Sequence, residues 1–522
     1  MAGETDVVIV GGGHNSLVAA TLLARAGRSV VVLEQADHLG GAAVSSRPFE
    51  GVDVTVSPYA YLVSLFPDEL ASELGVDLRL LRRRVASCTP DGDQALVVDN
   101  LDAEATVDSF AAVGAQADFE NWASWRALTG HIAASVAPTL LQPLRPAEFF
   151  RDRLGAEAWG LLTSRPLGDS LDDAFESDLV RGLVLTDGLI GTFASSGDED
   201  LRQNRCFLYH VMGNGTGEWL VPVGGMGAIT DALAHAARRA GAVLHVRRPV
   251  VSVESDGRRA EVSTEGGDHY SCDVALWGAA PSALDRLLHG HSVGPAPEGA
   301  QVKVNMVVRR LPTLSAGVPP ETAFSGTLHV NERRGQLDAA WEQARRGSFP
   351  APVPCEVYCH SLTDPTVIGP QLRRSGAQTL TLFALQVPTR LFTGANMTTR
   401  EGALSACLES FQSVLAEPLS DCLLSTDGGE PCIEVHTPVD LVGELGLPGG
   451  NIFHGELRWP WAETDDEVGG WGVETAIDNL FVCGAGSRRG GGVSGIGGHN
   501  AAMAVLDRLH PRRPRRLPRR RR

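Results

Sequence analysis

The apolar positions of this 522-residue chain change period along its length. Residues 6 to 34, DVVIVGGGHNSLVAATLLARAGRSVVVLE, begin with an apolar run (Val7 to Val10) that stops at Gly11-Gly12-Gly13. Ala and Leu then recur at helical spacing to Ala26-Gly27, and a second apolar run (Val30 to Leu33) ends in Glu34. Short apolar runs bounded by glycine predict strands and a 3.6-residue recurrence predicts a helix, so the segment reads as strand, turn, helix, strand. Residues 479 to 506, NLFVCGAGSRRGGGVSGIGGHNAAMAVL, read as a strand, a glycine-rich turn and an Ala-rich helix. Residues 76 to 214 carry helical spacing and aromatics (Trp122, Trp125, Trp159), whereas 291 to 439 hold alternating runs such as QVKVNMVV and TLTLFALQV that predict strands. No apolar run approaches the roughly 20 residues of a spanning helix.

The opening unit predicts a dinucleotide site. Gly11 permits the tight turn, Gly13 lets main chain approach a pyrophosphate, and the amino end of the following helix receives the phosphate charge. Ser16 stands where the fingerprint has its third glycine, which crowds helix against strand but keeps the site. Glu34 lies 21 residues beyond Gly13, where a carboxylate accepts both ribose hydroxyl protons and disfavours a 2′-phosphate. The alternative for Glu34 is a solvated carboxylate at a strand end. Gly40-Gly41, in HLGGAAVSS, provides a second close approach of main chain to a ligand. A chain that returns after about 450 residues to another glycine-lined helix start implies a long ligand touching both ends, which suits FAD better than NAD.

Composition narrows the rest. At 43% hydrophobic and 21% charged, the chain is an ordinary globular protein of more than one domain. Glu4 and Asp6 occupy the place of a basic signal-peptide region, so a cytoplasmic location is expected. Nine cysteines without a CxxC pair argue against a disulfide framework, and fifteen histidines without HExxH or other close ligand spacing give no metal site. The last fifteen residues hold nine arginines and no acid, leaving 36 basic against 63 acidic groups on residues 1 to 507. Nucleic acid is therefore a poor partner for the body. The tail from 508 to 522 predicts a disordered, solvated end, with peripheral contact to anionic membrane as its alternative.

Together, VIVGGGHNSLVAATLLARAG, VLEQADHLGGAAVSS, VPVGGMGAITDALAHAARRAG and LFVCGAGSRRGGGVSGIGGHNAA resemble the phytoene-desaturase-like FAD oxidoreductases. The branch they most resemble contains bacterial β-carotene ketolases and animal pyridine nucleotide-disulphide oxidoreductase domain proteins, and NIFHGEL (451 to 457) resembles it too. The resemblance implies an α/β fold: a Rossmann-like FAD-binding domain built from discontinuous segments (1–75, 215–290 and 440–507) with an inserted α+β substrate domain (76–214 and 291–439). It also implies that backbone at Val250 meets the adenine, and that Gly486, Gly492 and Val493, followed by Ser494, lie in the turn at the flavin.

Two departures stand out. Ala42 follows the glycine doublet where many flavin amine oxidases have Arg, which weakens an amine-oxidase reading. Arg488-Arg489 replace the His-Pro common in the desaturase closing motif; facing the site they would suit a carboxylate or phosphate, and otherwise they form a solvated turn.

The implied activity is FAD-dependent dehydrogenation or oxygenation of a largely apolar, carotenoid-like substrate. Oxidation of a smaller amine or functionalised metabolite, and a non-enzymatic flavoprotein scaffold, are the alternatives. His454, before Trp459-Pro460-Trp461, is a pocket candidate or a satisfied buried histidine; His14, inside the phosphate turn, is structural or acid-base. The chain has 44 arginines and one lysine, Lys303. Related flavin oxidases use a lysine so placed to hold a water near the reactive flavin nitrogen, while the alternative is a lysine snorkelling from a strand end.

Overall fold

The structure, a computed structural model, describes residues 2–294, 297–393 and 397–509. Strand Ala2–Val10 runs parallel to Val30–Leu33 on one side and to His269–Trp277 on the other. Val243–His245 extends the sheet past Val30–Leu33, and Leu480–Val482 pairs in parallel with His269–Trp277. The antiparallel strands Val250–Ser255 and Ala260–Thr264 complete it. Val7, Val8 and Ile9 are buried on both faces, as a parallel sheet covered by helices requires.

Register places Val10 beside Leu33 and Trp277, and Trp277 beside Val482. The carboxyl ends of four parallel strands therefore open on one edge, where sheets of this kind bind ligands. Helix His14–Arg25 starts from that edge and packs against Met226–Ala240 and Ile496–Leu509. The α/β class with a sheet drawn from separated segments agrees with the fold read from the sequence.

A second sheet has the order Ile433–His436, Val302–Val308, Gln378–Ala384, Cys355–Tyr358, Thr327–Val330, Val85–Asp91, Gln94–Asp99. Its last two strands form a hairpin inside a stretch whose spacing and aromatics predicted helices. The turn at Gly92-Asp93 is a two-residue signal, outweighed in a long window by the helices that follow. Those helices, including Phe119–Val136, Ala147–Thr163 and Arg202–Met212, pack around Phe110, Trp125, Phe150, Phe175 and Phe207.

The final helix runs to Leu509, and the Arg508 guanidinium donates to the Gly257 carbonyl at 2.8 Å. Arg508 and Leu509 thus close a helix rather than begin a tail, and residues 510–522 of the predicted tail lie outside the described residues. All nine cysteines are buried and free. Among the described residues no helix is long and apolar enough to cross a membrane.

Candidate active site

A cavity of about 900 Å³ is walled by the carboxyl edge of the first sheet, by the second sheet and by the helices between residues 119 and 212. Gly11 has φ +92° and its N–H donates to the Leu33 carbonyl at 2.8 Å, which turns the chain off the first strand. Gly13 and the helix start it caps line the cavity. The Glu34 carboxylate also faces the cavity: Oε2 accepts the Gly12 N–H at 2.6 Å and Oε1 the Ala36 N–H at 2.7 Å. Its residue is only 9% exposed, so it is a clamped group and not a solvated strand end.

Gly40 donates to the Gly12 carbonyl at 2.9 Å and bridges Gly13, so the second glycine cluster braces the first turn, with Gly41 beside it. Ser16 is buried, its Oγ 3.7 Å from Cys483 Sγ. A Cβ on Gly278 would stand 2.1 Å from that Oγ. The missing third glycine is thus offset by a glycine at the end of the neighbouring strand, a compensation no local motif reveals. Val250 lines the cavity at the start of its strand, as do Gly492 and Val493.

Three expectations for the closing turn need correction. Gly486 stands behind the wall, where a Cβ would meet Pro281 Cδ at 2.4 Å. Ser494 turns inward to accept the Ile496 N–H at 3.3 Å, at the start of the last helix. Arg488 and Arg489 are buried and neither line the cavity nor form a solvated turn. Arg488 pairs with Glu463 and Glu467, while Arg489 donates to the carbonyls of Thr139, Leu140, Gln142 and Pro460. These bonds tie the glycine turn to the helical wall, where one guanidinium supplies more donors to the buried carbonyls of 139–142 than a His-Pro pair could. Trp459 and Trp461 stack at 4.9 Å, and Trp461 packs against Phe150; neither lines the cavity.

Lys303 is 4% exposed in strand Val302–Val308, so it does not snorkel. Its Nζ donates to the Ser57 carbonyl and lies 4.8 Å from the centre of the Tyr61 ring, at the cavity wall. Burial lowers its pKa to about 7, only partly opposed by Glu434. His14 and His454 both line the cavity, and burial lowers each to about 4, so both are neutral at pH 7. His14 hydrogen-bonds the Gly492 backbone, which joins the first and last segments. His454 has φ +62° and its Nδ1 has no partner, contrary to a satisfied core histidine.

Other wall residues had no sequence signal: Arg83, Asp187, Thr327, His329, Glu356 and Tyr358 come from distant segments and meet only through the second sheet and the helical turn Thr186–Gly188 that follows helix Asp178–Leu185. Trp122, Trp125, Leu183, Val184 and Phe207 supply an apolar lining.

The edge fits a flavin dinucleotide. His14 Nε2, Asn15 Oδ1 and His454 Nδ1 are buried polar atoms without partners, gathered where Glu34 and the two glycine turns meet the cavity. Fold and site together define an FAD-dependent oxidoreductase. The chain belongs to the flavin containing amine oxidoreductase family, whose profile matches residues 17–304. It is 47% identical to an uncharacterized protein of Mycobacterium tuberculosis over 98% of each chain. It is also 29% identical to pyridine nucleotide-disulfide oxidoreductase domain-containing protein 2 of Rattus norvegicus, over 96% of this chain and 93% of that one. The solved structure of a putrescine oxidase mutant, made in a redesign of cofactor binding, superposes with a TM-score of 0.59 over 97% of this chain and all of the other, at 16% identity.

Proposed function

We propose that this enzyme dehydrogenates or oxygenates an organic substrate with a largely apolar body and at least one polar group. The observation that carries the reading is the continuity of the cavity. One space reaches from the glycine turns, past Lys303 and Tyr61, to the apolar side chains of Trp125, Leu183 and Phe207. A carotenoid-like body suits that apolar lining, while Arg83 and Asp187 in the same wall favour a functionalised molecule over a plain hydrocarbon. The second reading, oxidation of a smaller amine, is favoured by the family match.

Bound FAD supplies the acceptor for a hydride taken from the substrate. In this reading Glu34 holds the ribose hydroxyls, Gly11, Gly13 and Ser16 approach the pyrophosphate with the helix amino end behind them, and Gly40 and Gly41 keep that turn in place. Val250 lies beside the adenine, and Gly492 and Val493 beside the flavin ring. Lys303 is poised to hold a water or take a proton at Nζ, since it is half neutral near pH 7. His454 orients substrate as a neutral imidazole, with Nδ1 free to donate or accept. The arginines of the chain end offer an electrostatic route to an anionic membrane, a convenient source of an apolar substrate.

Anaerobic bleaching of the flavin tests this directly. Long apolar alcohols, aldehydes and amines are mixed with the holoenzyme beside short polyamines. Faster reduction by long-chain members supports the proposal, and bleaching confined to short amines supports the second reading.

A further inference from the structure

Besides the flavin edge, the cavity wall holds a second cluster of metal-ligating groups. His329 and Glu356 are directly opposed on the antiparallel strands Thr327–Val330 and Cys355–Tyr358. Glu332 follows the first strand after Asn331, whose φ of +57° turns the chain so that this carboxylate comes back onto the imidazole. Glu332 Oε2 lies 2.6 Å and Glu356 Oε1 3.7 Å from His329 Nδ1, and one ligand atom from each of the three lies within 4.8 Å of the others.

We propose that His329, Glu332 and Glu356 form a binding site for one divalent transition-metal ion of the zinc or manganese type. Bonds of about 2.0 to 2.2 Å to imidazole nitrogen and carboxylate oxygen put ligand atoms roughly 3 to 4 Å apart, so modest side-chain adjustment closes the triad around an ion. The donor set is borderline to hard, which excludes ions that demand thiolate.

Burial and hydrogen bonding point the same way. The three side chains are 5%, 0% and 5% exposed, and two carboxylates face one imidazole. Arg83 in the same wall donates to Thr327 Oγ1 and feels the charge of Glu356, although no ion pair joins it to these carboxylates among the described residues. Glu332 Oε1 is buried with no hydrogen-bond partner at all, the mark of an oxygen that awaits a ligand. Glu356 is already oriented from behind: the Tyr358 hydroxyl donates to Oε2 and leaves Oε1 on the side of His329.

Two of the ligands line the cavity, so an ion has an entry path and its remaining coordination positions face space that a substrate oxygen can reach. Both of those ligands sit on paired strands, which keeps their spacing steady. In the sequence His329 and Glu332 stand three residues apart, a short pair that marks no metal motif by itself, and the third ligand, Glu356, is brought in across strands from 27 residues beyond His329.

The test uses full-length, untagged, FAD-loaded protein stripped with chelator. Mn²⁺ binding is followed by loss of the free-ion EPR signal, and Zn²⁺ by equilibrium dialysis with elemental analysis. One ion per chain is expected, with affinity falling at least tenfold in Glu332→Gln and in His329→Asn while the flavin spectrum is unchanged. If either variant loses FAD, Glu356→Gln is read in its place. Absence of stoichiometric binding of either ion, or binding equally strong in the variants, would overturn the proposal and assign the cluster to proton sharing alone.

Discussion

Replacing Lys303 by Met isolates a titration that the fold imposes. In the unfolded chain the amine has its ordinary pKa of 10.5, whereas burial at the cavity wall brings it to about 7. Below pH 7 both states carry the proton, and the folded state bears the full cost of enclosing an ammonium. Between about pH 7 and about pH 10 the unfolded state binds one proton more than the native state, so stability rises with pH by roughly 1.4 kcal/mol per unit. The stability associated with this group is thus complete above the unfolded pKa and lost as pH falls through the folded one. Lys303→Met removes the slope. It also removes the bond to the Ser57 carbonyl and the contact with Tyr61, but those losses add an offset that does not vary with pH.

The gap in unfolding free energy between wild type and Lys303→Met should therefore shift by about 2 kcal/mol in favour of wild type from pH 7.5 to pH 9. The nearby His360 is held at about 3 and Glu434 below its ordinary value, so neither titrates in this window. Urea unfolding at matched FAD concentration measures the gap. A constant gap across the window would refute a depressed lysine, and with it the use of Nζ as a neutral base near pH 7.

Other outcomes follow from the same geometry. Glu34→Ala should weaken FAD binding by about 1 to 3 kcal/mol, the scale of charge-assisted hydrogen bonds, as read by flavin fluorescence on dilution; unchanged affinity would remove the carboxylate from the ribose. Lys303→Arg keeps the charge but replaces a compact ammonium with a planar fork, so stopped-flow flavin reduction or reoxidation should slow at least about tenfold with FAD still bound. Arg489→Met takes the guanidinium donor from the carbonyls of Gln142 and Pro460, while Leu140 keeps the Asn500 amide and Thr139 the Gln142 N–H, and should cost at least about 2 kcal/mol of stability in thermal or urea unfolding, where a neutral result would mean other donors replace it. Deleting residues 510–522 should move protein from anionic vesicles to the supernatant at low salt, since each arginine near the surface is worth about 1 kcal/mol; equal partition of both forms would leave the tail a solvated end.

What could be read from sequence was local. The strand-turn-helix of residues 6 to 34, its acid at Glu34 and the closing glycine turn all lie within windows of about 30 residues, and their chemistry depends on backbone that glycine and helix ends specify nearby. The strand around Lys303 was legible for the same reason. The wall opposite the flavin edge was not: the docking of the Gly92-Asp93 hairpin against Thr327–Val330, the His329–Glu356 opposition and the approach of Asp187 depend on pairing between strands and helices far apart in the chain. Arg488 and Arg489 show the limit most clearly, because two arginines in a glycine turn read as a solvated or ligand-facing charge until the carbonyls of 139–142 and the carboxylates of Glu463 and Glu467 are placed around them. Local backbone rules act over a few residues, whereas the desolvation that lowers the Lys303 pKa and buries these guanidinium groups is a property of the packed whole.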